Sequence, residues 1–298
     1  MQPEYKPYAK RTVDTQYRDR LHLILEKGEL IKETQQGVGA ITYIAPPPMR
    51  FDFTNGVPLV TERRISFWKS AIGELLAFVN GVRTQSGLEE FGCRWWDKWL
   101  TPEKCAKRGL EPGDLGPGGY ASMHDFPTRE GQPFNQIKHL VEQMTEEPQL
   151  RTHFVSPWVP QYVGRGKGKQ QKVVVAPCHG WIHARIFPGK RLVLHMFQRS
   201  ADFPVGVPAN MIQYAAFTMA LAHVTGNIPH MFVHSFSDAH IYEDQVDAVK
   251  KMLGRETRKL PTMTMNTEKS DIFSFRAEDF FITDYDPHPA IKEIPVGI

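Results

Sequence analysis

The chain has 298 residues, 41% of them hydrophobic, which is enough to build one large core, or two small ones, without disulfides or metals. Its three cysteines, Cys93, Cys105 and Cys178, are odd in number and lack CxxC spacing, so neither a disulfide framework nor a zinc site is expected, and a reducing cytoplasm fits best. A formal charge of +3 is too small to mark a nucleic-acid binder and leaves anionic small molecules as partners; the polar start (Glu4, Lys6, Lys10, Arg11, Asp14) and the lack of any apolar run near the roughly 20 residues of a membrane span exclude a secretory signal and a membrane protein.

In chain order, Tyr17, Leu21, Ile24 and Leu25 recur at helical spacing over residues 12–27, with Gly28 as a stop. Residues 40–44 and 50–53 are strand-like around Pro46-Pro47-Pro48. Trp68, Ile72, Leu75, Leu76 and Val79 predict a helix over 65–80, and a shorter amphipathic helix follows at 137–144. The glycine-interleaved cluster Gly164-Arg165-Gly166-Lys167-Gly168-Lys169 has no Walker pattern and reads as a mobile loop. Segments 172–176, 181–187 and 191–197 read as strands, the last two joined by a turn at Pro188-Gly189. Residues 208–223 form a mostly apolar helix, buried on nearly all sides, and 231–236 is a further apolar strand. Neither an internal repeat nor a domain boundary is evident, so residues 1–298 are expected to form one catalytic domain.

The chemistry concentrates at Ala176-Pro177-Cys178-His179 and, about twenty residues on, Gln198-Arg199-Ser200-Ala201-Asp202 and Gly206-Val207-Pro208-Ala209-Asn210. A cysteine works as a nucleophile when its thiolate is stabilised, and Arg199 is a group able to lower its pKa. On the predicted strands Cys178 ends one and Arg199 another. His179 follows Cys178 directly and would point to the opposite face, which argues against a Cys-His hydrolase. Glu74 has Phe67, Ala71 and Phe78 around it on its predicted helix, a setting in which a carboxylate is costly without partners.

These residues sit in a wider pattern: Phe51-Asp52-Phe53, Gly56-Val57-Pro58-Leu59-Val60-Thr61, Gly73-Glu74-Leu75-Leu76, Asn80-Gly81, Trp96-Asp97-Lys98-Trp99 and Gly113-Asp114-Leu115-Gly116-Pro117, then Pro177-Cys178-His179, Gln198-Arg199-Ser200, Asp238-Ala239-His240-Ile241-Tyr242 and Tyr285-Asp286-Pro287-His288-Pro289. In this order they resemble the folate-dependent thymidylate synthase family, which includes the pyrimidine nucleotide hydroxymethylases, over nearly the whole chain. The resemblance implies an α+β fold with a large mixed or antiparallel sheet flanked by helices, and a homodimer packed sheet on sheet. It implies a pyrimidine nucleoside monophosphate as substrate, 5,10-methylenetetrahydrofolate as co-substrate, and no metal.

Residue by residue, the resemblance makes Cys178 the thiolate that adds to C6 of the pyrimidine, with Arg199 supporting it and contacting the phosphate. Glu74 would organise water and move protons, and Tyr120 would remove the C5 proton. Gln198, Ser200 and Asn210 would contact the nucleotide, with the Asn210 amide donating to O4 and accepting from N3–H of uracil, whereas a flipped amide would face cytosine. His240 and Tyr242 would hold the sugar 3'-hydroxyl, and Arg151 would reach the phosphate from the partner subunit. Asp202, Gly206, Arg63, Trp96, Trp99 and the terminal Ile298 would form the folate site, the C-terminal segment closing over it.

The chain departs from the pattern at several of these places. Gln35 and Thr152 stand where phosphate arginines are expected, and Arg165, Lys167 or Lys169 would have to compensate. Tyr120 is displaced by one position; Arg63 or Arg64 replaces a lysine, Ser66 or Phe67 a histidine, and His183 a glutamine. Two outcomes stay open: reductive methylation of dUMP to dTMP, favoured by Trp96 and the C-terminal segment, or hydroxymethylation with release of tetrahydrofolate. A catalytically inactive nucleotide- or RNA-binding protein is a third reading, opposed by the presence of Cys178, Glu74, Arg199 and Asp202.

Overall fold

In a computed structural model, described here for residues 2–292 and 294–297, the chain forms eight α-helices and nine strands among the described residues. The elements are α1 (Gln16–Lys27), β1 (Glu29–Ile31), β2 (Ala40–Ile44), β3 (Met49–Asp52), α2 (Trp68–Val79), α3 (Gln85–Glu90), α4 (Pro102–Ala106), α5 (Gln136–Glu146), β4 (Phe154–Val155) and α6 (Pro160–Val163). They continue with β5 (Trp181–Phe187), β6 (Arg191–Asp202), α7 (Gly206–Val224), β7 (Ile228–Tyr242), α8 (Val246–Leu253), β8 (Thr262–Met265) and β9 (Phe280–Thr283).

Seven strands form one mixed sheet in the order β1-β2-β7-β6-β5-β4, with β3 also paired to β7. The β6–β7 ladder is parallel and the others are antiparallel, so the fold is the mixed form of the expected α+β class. A separate hairpin pairs β8 with β9. Along β6 the inward residues Leu192, Leu194, Met196 and Gln198 are buried, while Val193, His195 and Phe197 on the other face are half-buried. This period-2 alternation turns one face toward α7 and leaves the other half-exposed.

Helix α7 lies between the sheet and α2, and 15 of its 19 residues are buried. Any polar side chain on it must therefore find a partner inside the protein. Helix α2 buries nine consecutive residues from Ala71 to Val79. Gly73 permits this closeness, because a Cβ there would lie 1.9 Å from the Phe91 carbonyl oxygen. The close approach brings the loop after α3, with Cys93, Trp95 and Trp96, down onto the next residue of α2, Glu74.

Several predicted boundaries shift for local reasons. Helix α1 starts at Gln16 rather than Thr12 because Asp14 Oδ1 accepts from Gln16 N (3.0 Å) and Thr12 N is tied to Asn55 Oδ1 (2.9 Å). Helix α2 starts at Trp68 because Ile65 N donates to the Tyr285 hydroxyl (2.9 Å). The strand expected at 172–176 does not form: Lys172 N bonds Tyr162 O and Val174 N bonds Leu115 O, each at 2.9 Å, so loops take its backbone groups. Cys178 consequently lies in the turn before β5, while Arg199 sits inside β6, which runs on to Asp202. The strand predicted at 231–236 is the middle of the fifteen-residue β7.

Candidate active site

The turn carrying Cys178 is pinned to β6 by Arg199. Arg199 N donates to Cys178 O (2.8 Å), Nε to Pro177 O (2.7 Å) and Nη2 to Ala176 O (3.0 Å). These bonds bring Nη2 to 3.5 Å from Cys178 Sγ. The guanidinium lies 5.4 Å above the Trp158 ring, and Nη1 makes no hydrogen bond among the described residues. Gly180 completes the turn at φ 107°, a region glycine adopts without steric cost.

The expected lowering of the Cys178 pKa is only part of the balance. Burial pushes the thiol up, Arg199 and the bond with Tyr120 pull it down, and burial prevails. His179 turns away from Sγ: its Nδ1 lies 2.7 Å from the Tyr214 hydroxyl, its ring stacks on Tyr120 at 4.5 Å, and burial lowers its pKa to about 3. An imidazole turned from the thiol and made this weakly basic cannot serve as the base of a Cys-His pair.

Tyr120 is buried, stacked on Phe78 at 4.7 Å, and its hydroxyl accepts from Cys178 N at 2.9 Å. Its one-position displacement in the sequence therefore still brings the phenol to the backbone of the cysteine.

Glu74 is 6% exposed, not a surface helix glutamate. Oε1 accepts from the indoles of Trp95 (2.7 Å) and Trp96 (2.6 Å), with Cys93 Sγ at 3.8 Å; Oε2 accepts from Gln213 Nε2 at 2.6 Å. Burial raises its pKa, and the four donors offset part of the rise. Trp96 in turn packs against Trp99 (5.7 Å) and Tyr120 (6.4 Å).

The end of β6 and the start of α7 supply the next group. Asp202 accepts from Val205 N (3.1 Å) and from Gln245 Nε2 (3.2 Å to each oxygen). Burial lifts its pKa to about 6 against the downward pull of His240. Gly206 lies beside both neighbours, its ideal Cβ position 3.8 Å from Asp202 Cβ and 3.9 Å from Asn210 Oδ1. Asn210 is buried between Gln198 and Gln213 and bonds to both.

On β7, Asp238 and His240 are the ladder partners of Ser200 and Asp202. His240 Nδ1 lies 3.3 Å from Asp238 Oδ1, and its ring meets Tyr242 edge-on at 5.0 Å. Gln245 Nε2 also donates to Pro295 O (2.8 Å), and Gly297 lies against the Tyr242 ring, so the C-terminal segment rests on this end of the sheet. Ile298 lies outside the described residues.

Arg63 is 5% exposed; Nη2 donates to Pro204 O (2.8 Å), Nε has no partner, and burial lowers its pKa. Arg151 stands apart: it is exposed before β4, and its guanidinium has no bond or ion pair among the described residues. In the exposed basic loop, Arg165 Nη1 reaches Gln35 Oε1 at 3.3 Å.

Gln213, Trp95, His234 and Gln245 belong to this cluster and were missed in the sequence. Gln213 had a usable signal, a lone amide one turn after Asn210 in an apolar helix. Trp95 carries no such signal, since only its neighbour Trp96 falls in the Trp96-Asp97-Lys98-Trp99 motif.

Among the described residues no group of three or more His, Cys, Asp or Glu side chains could hold a metal ion, and no helix is long and apolar enough to cross a membrane. A sequence model of thymidylate synthase matches residues 15–296. That match spans the whole cluster from Arg63 to Pro295, and the chain belongs to the thymidylate synthase family, whose members carry a one-carbon unit from methylenetetrahydrofolate to a pyrimidine nucleotide.

Proposed function

We propose that the chain converts dUMP to dTMP by reductive methylation. Exclusion of water supports this outcome over hydroxymethylation: Trp96 closes on Glu74 at 2.6 Å, and the C-terminal segment packs on Tyr242 and Gln245. Whether water or hydride reaches the C5 substituent first turns on about 1.4 kcal/mol of barrier per factor of ten.

In this mechanism Cys178 adds to C6 as the thiolate, and the electron pair of the 5,6 double bond is released toward C5 and O4. Because the resting thiol is held up by burial, its proton passes to solvent as the nucleotide binds, with Arg199 at 3.5 Å stabilising the thiolate. Arg199 Nη1 is left to meet the phosphate, and Arg165, bonded to Gln35, would have to take the place of the expected arginine. Glu74 carries protons to and from the base edge, Tyr120 acts at C5, Asn210 reads the base, and His240 and Tyr242 hold the sugar, with Gln198 and Ser200 lining the nucleotide. Methylenetetrahydrofolate supplies the one-carbon unit and the hydride; Arg63, Trp96, Trp99, Asp202, Gly206 and Ile298 would hold it.

Residues 1–298 act as one domain in a cytoplasmic homodimer. The half-exposed sheet face of Trp181, His183, Val193, His195 and Phe197 supports a second copy packed on it, with Arg151 reaching across. Mass spectrometry of the product from dUMP and methylenetetrahydrofolate, with dihydrofolate followed by absorbance, tests the reading. A methyl product with dihydrofolate formed is expected; a hydroxymethyl product with tetrahydrofolate released would replace it.

A further inference from the structure

Five buried side chains form an unbroken hydrogen-bonded series that runs from His234 on β7 to Glu74 on α2. His234 Nε2 meets Gln198 Oε1 at 2.8 Å, Gln198 Nε2 meets Asn210 Oδ1 at 3.0 Å, Asn210 Nδ2 meets Gln213 Oε1 at 2.9 Å, and Gln213 Nε2 meets Glu74 Oε2 at 2.6 Å. Backbone carbonyls fix which way each glutamine faces. Gln198 Nε2 also donates to Ser200 O (3.1 Å), and Gln213 Nε2 also donates to Ala71 O (2.9 Å). A carbonyl can only accept, so both NH2 groups are assigned by their surroundings.

Asn210 then has no choice. It must turn oxygen toward the Gln198 NH2 and nitrogen toward the Gln213 oxygen. Reversing it would set NH2 against NH2 and oxygen against oxygen; reversing the glutamines as well would turn their oxygens toward the Ser200 and Ala71 carbonyl oxygens and point one of them at the Glu74 carboxylate. What Asn210 has left is one lone pair on Oδ1 and one hydrogen on Nδ2. That pair matches a ring N–H next to a carbonyl, the imide edge of uracil, and mismatches cytosine at both atoms.

We propose that Gln213, anchored on Ala71 O and Glu74, is a specificity-determining positioning residue that locks the Asn210 amide in its uracil-reading orientation. The inference rests on the reading of the site as one for a uracil nucleotide. It adds that base choice is enforced from the Glu74 side, with His234 closing the far end: His234 is fully buried, its Nδ1 has no partner, and only an Nε2–H tautomer satisfies Gln198 Oε1.

The test is equilibrium binding of dUMP and of dCMP to the full-length wild-type chain and to Gln213→Met, which keeps length and loses both ends of the amide. The wild type should prefer dUMP, and Gln213→Met should lose at least tenfold of that preference while still binding dUMP. A wild type without the preference would overturn the uracil reading itself. A wild type with the preference and a folded Gln213→Met that retains it would overturn the role of Gln213 and leave that reading standing. If Gln213→Met does not fold, 15N NMR of histidine-labelled wild type decides: an Nε2–H tautomer at His234 supports the locked series, and an Nδ1–H tautomer overturns it.

Discussion

The Tyr120 hydroxyl accepts a hydrogen bond from the Cys178 amide nitrogen at 2.9 Å, so the phenol is fixed by the backbone of the residue whose side chain would attack the base. The ring is buried and clamped between Phe78 and His179. Tyr120→Phe would keep that packing and leave one buried N–H unpaired, a loss of about 1–3 kcal/mol of stability. If the phenol also acts at C5, kcat should fall by about 10²–10⁴ while dUMP binding changes little. Single-turnover release of the C5 hydrogen separates the two effects; an unchanged rate on a destabilised fold would make the bond structural only.

Much of this arrangement was legible in the sequence where a residue type and its neighbours both constrain the answer. Glu74 among Phe67, Ala71 and Phe78 announced a carboxylate needing partners, and it has four donors. What was not legible depends on three-dimensional neighbours. The valines at 173–175 look like a strand, yet Leu115 O takes the Val174 N–H and Tyr162 O that of the adjoining Lys172. The full length of β7 was hidden because Ser235, Asp238 and His240 break the apolar run and carry polar groups of the site. The charge state of Cys178 could not be read from the nearness of Arg199, because burial outweighs it.

Arg151 offers a test of assembly. Among the described residues of one chain its guanidinium has no partner, and the proposed partner site would give it a phosphate. Arg151→Ala should raise the KM for dUMP by about 10–100-fold, as expected for loss of a charged contact. Arg151→Ala and Cys178→Ala proteins, mixed and allowed to exchange subunits, should recover activity with the wild-type KM for dUMP at one site of each mixed dimer. No recovery, with exchange verified by mass, would mean that each chain completes its own site.

Acid should destabilise the fold through His179. Burial lowers its pKa from the usual 6.5 to about 3, so between these values the unfolded chain binds the proton and the folded one does not. Stability is therefore full above about pH 6.5 and is lost as pH falls toward 3, by an upper bound of about 5 kcal/mol. Asp202 works in the opposite sense: its folded pKa of about 6 lies above the usual 3.8, so its protonation returns up to about 3 kcal/mol as pH falls through that window. His234, also lowered by burial, adds to the loss. Urea midpoints from pH 7 to pH 4 should fall for the wild type, fall less for His179→Gln and fall more for Asp202→Asn; parallel slopes in all three would remove these groups from the account.

The C-terminal segment provides a lever on the product itself. An ideal Cβ on Gly297 would lie 2.6 Å from Tyr242 Cζ, so even a methyl group cannot enter without moving the segment or the ring. The ring is the more firmly held of the two, at the end of a fifteen-residue strand and packed on His240, whereas the segment is tied through the bond from Gln245 to Pro295 O. Gly297→Ala should therefore lift the segment, raise the KM for methylenetetrahydrofolate by about 10-fold and leave dUMP binding within about a factor of two. It should also admit water beside C5. If exclusion of water selects methyl over hydroxymethyl, this one substitution should increase the hydroxymethyl fraction in the product mass spectrum; a slower enzyme with an unchanged product would assign the selection to the Trp96–Glu74 wall instead.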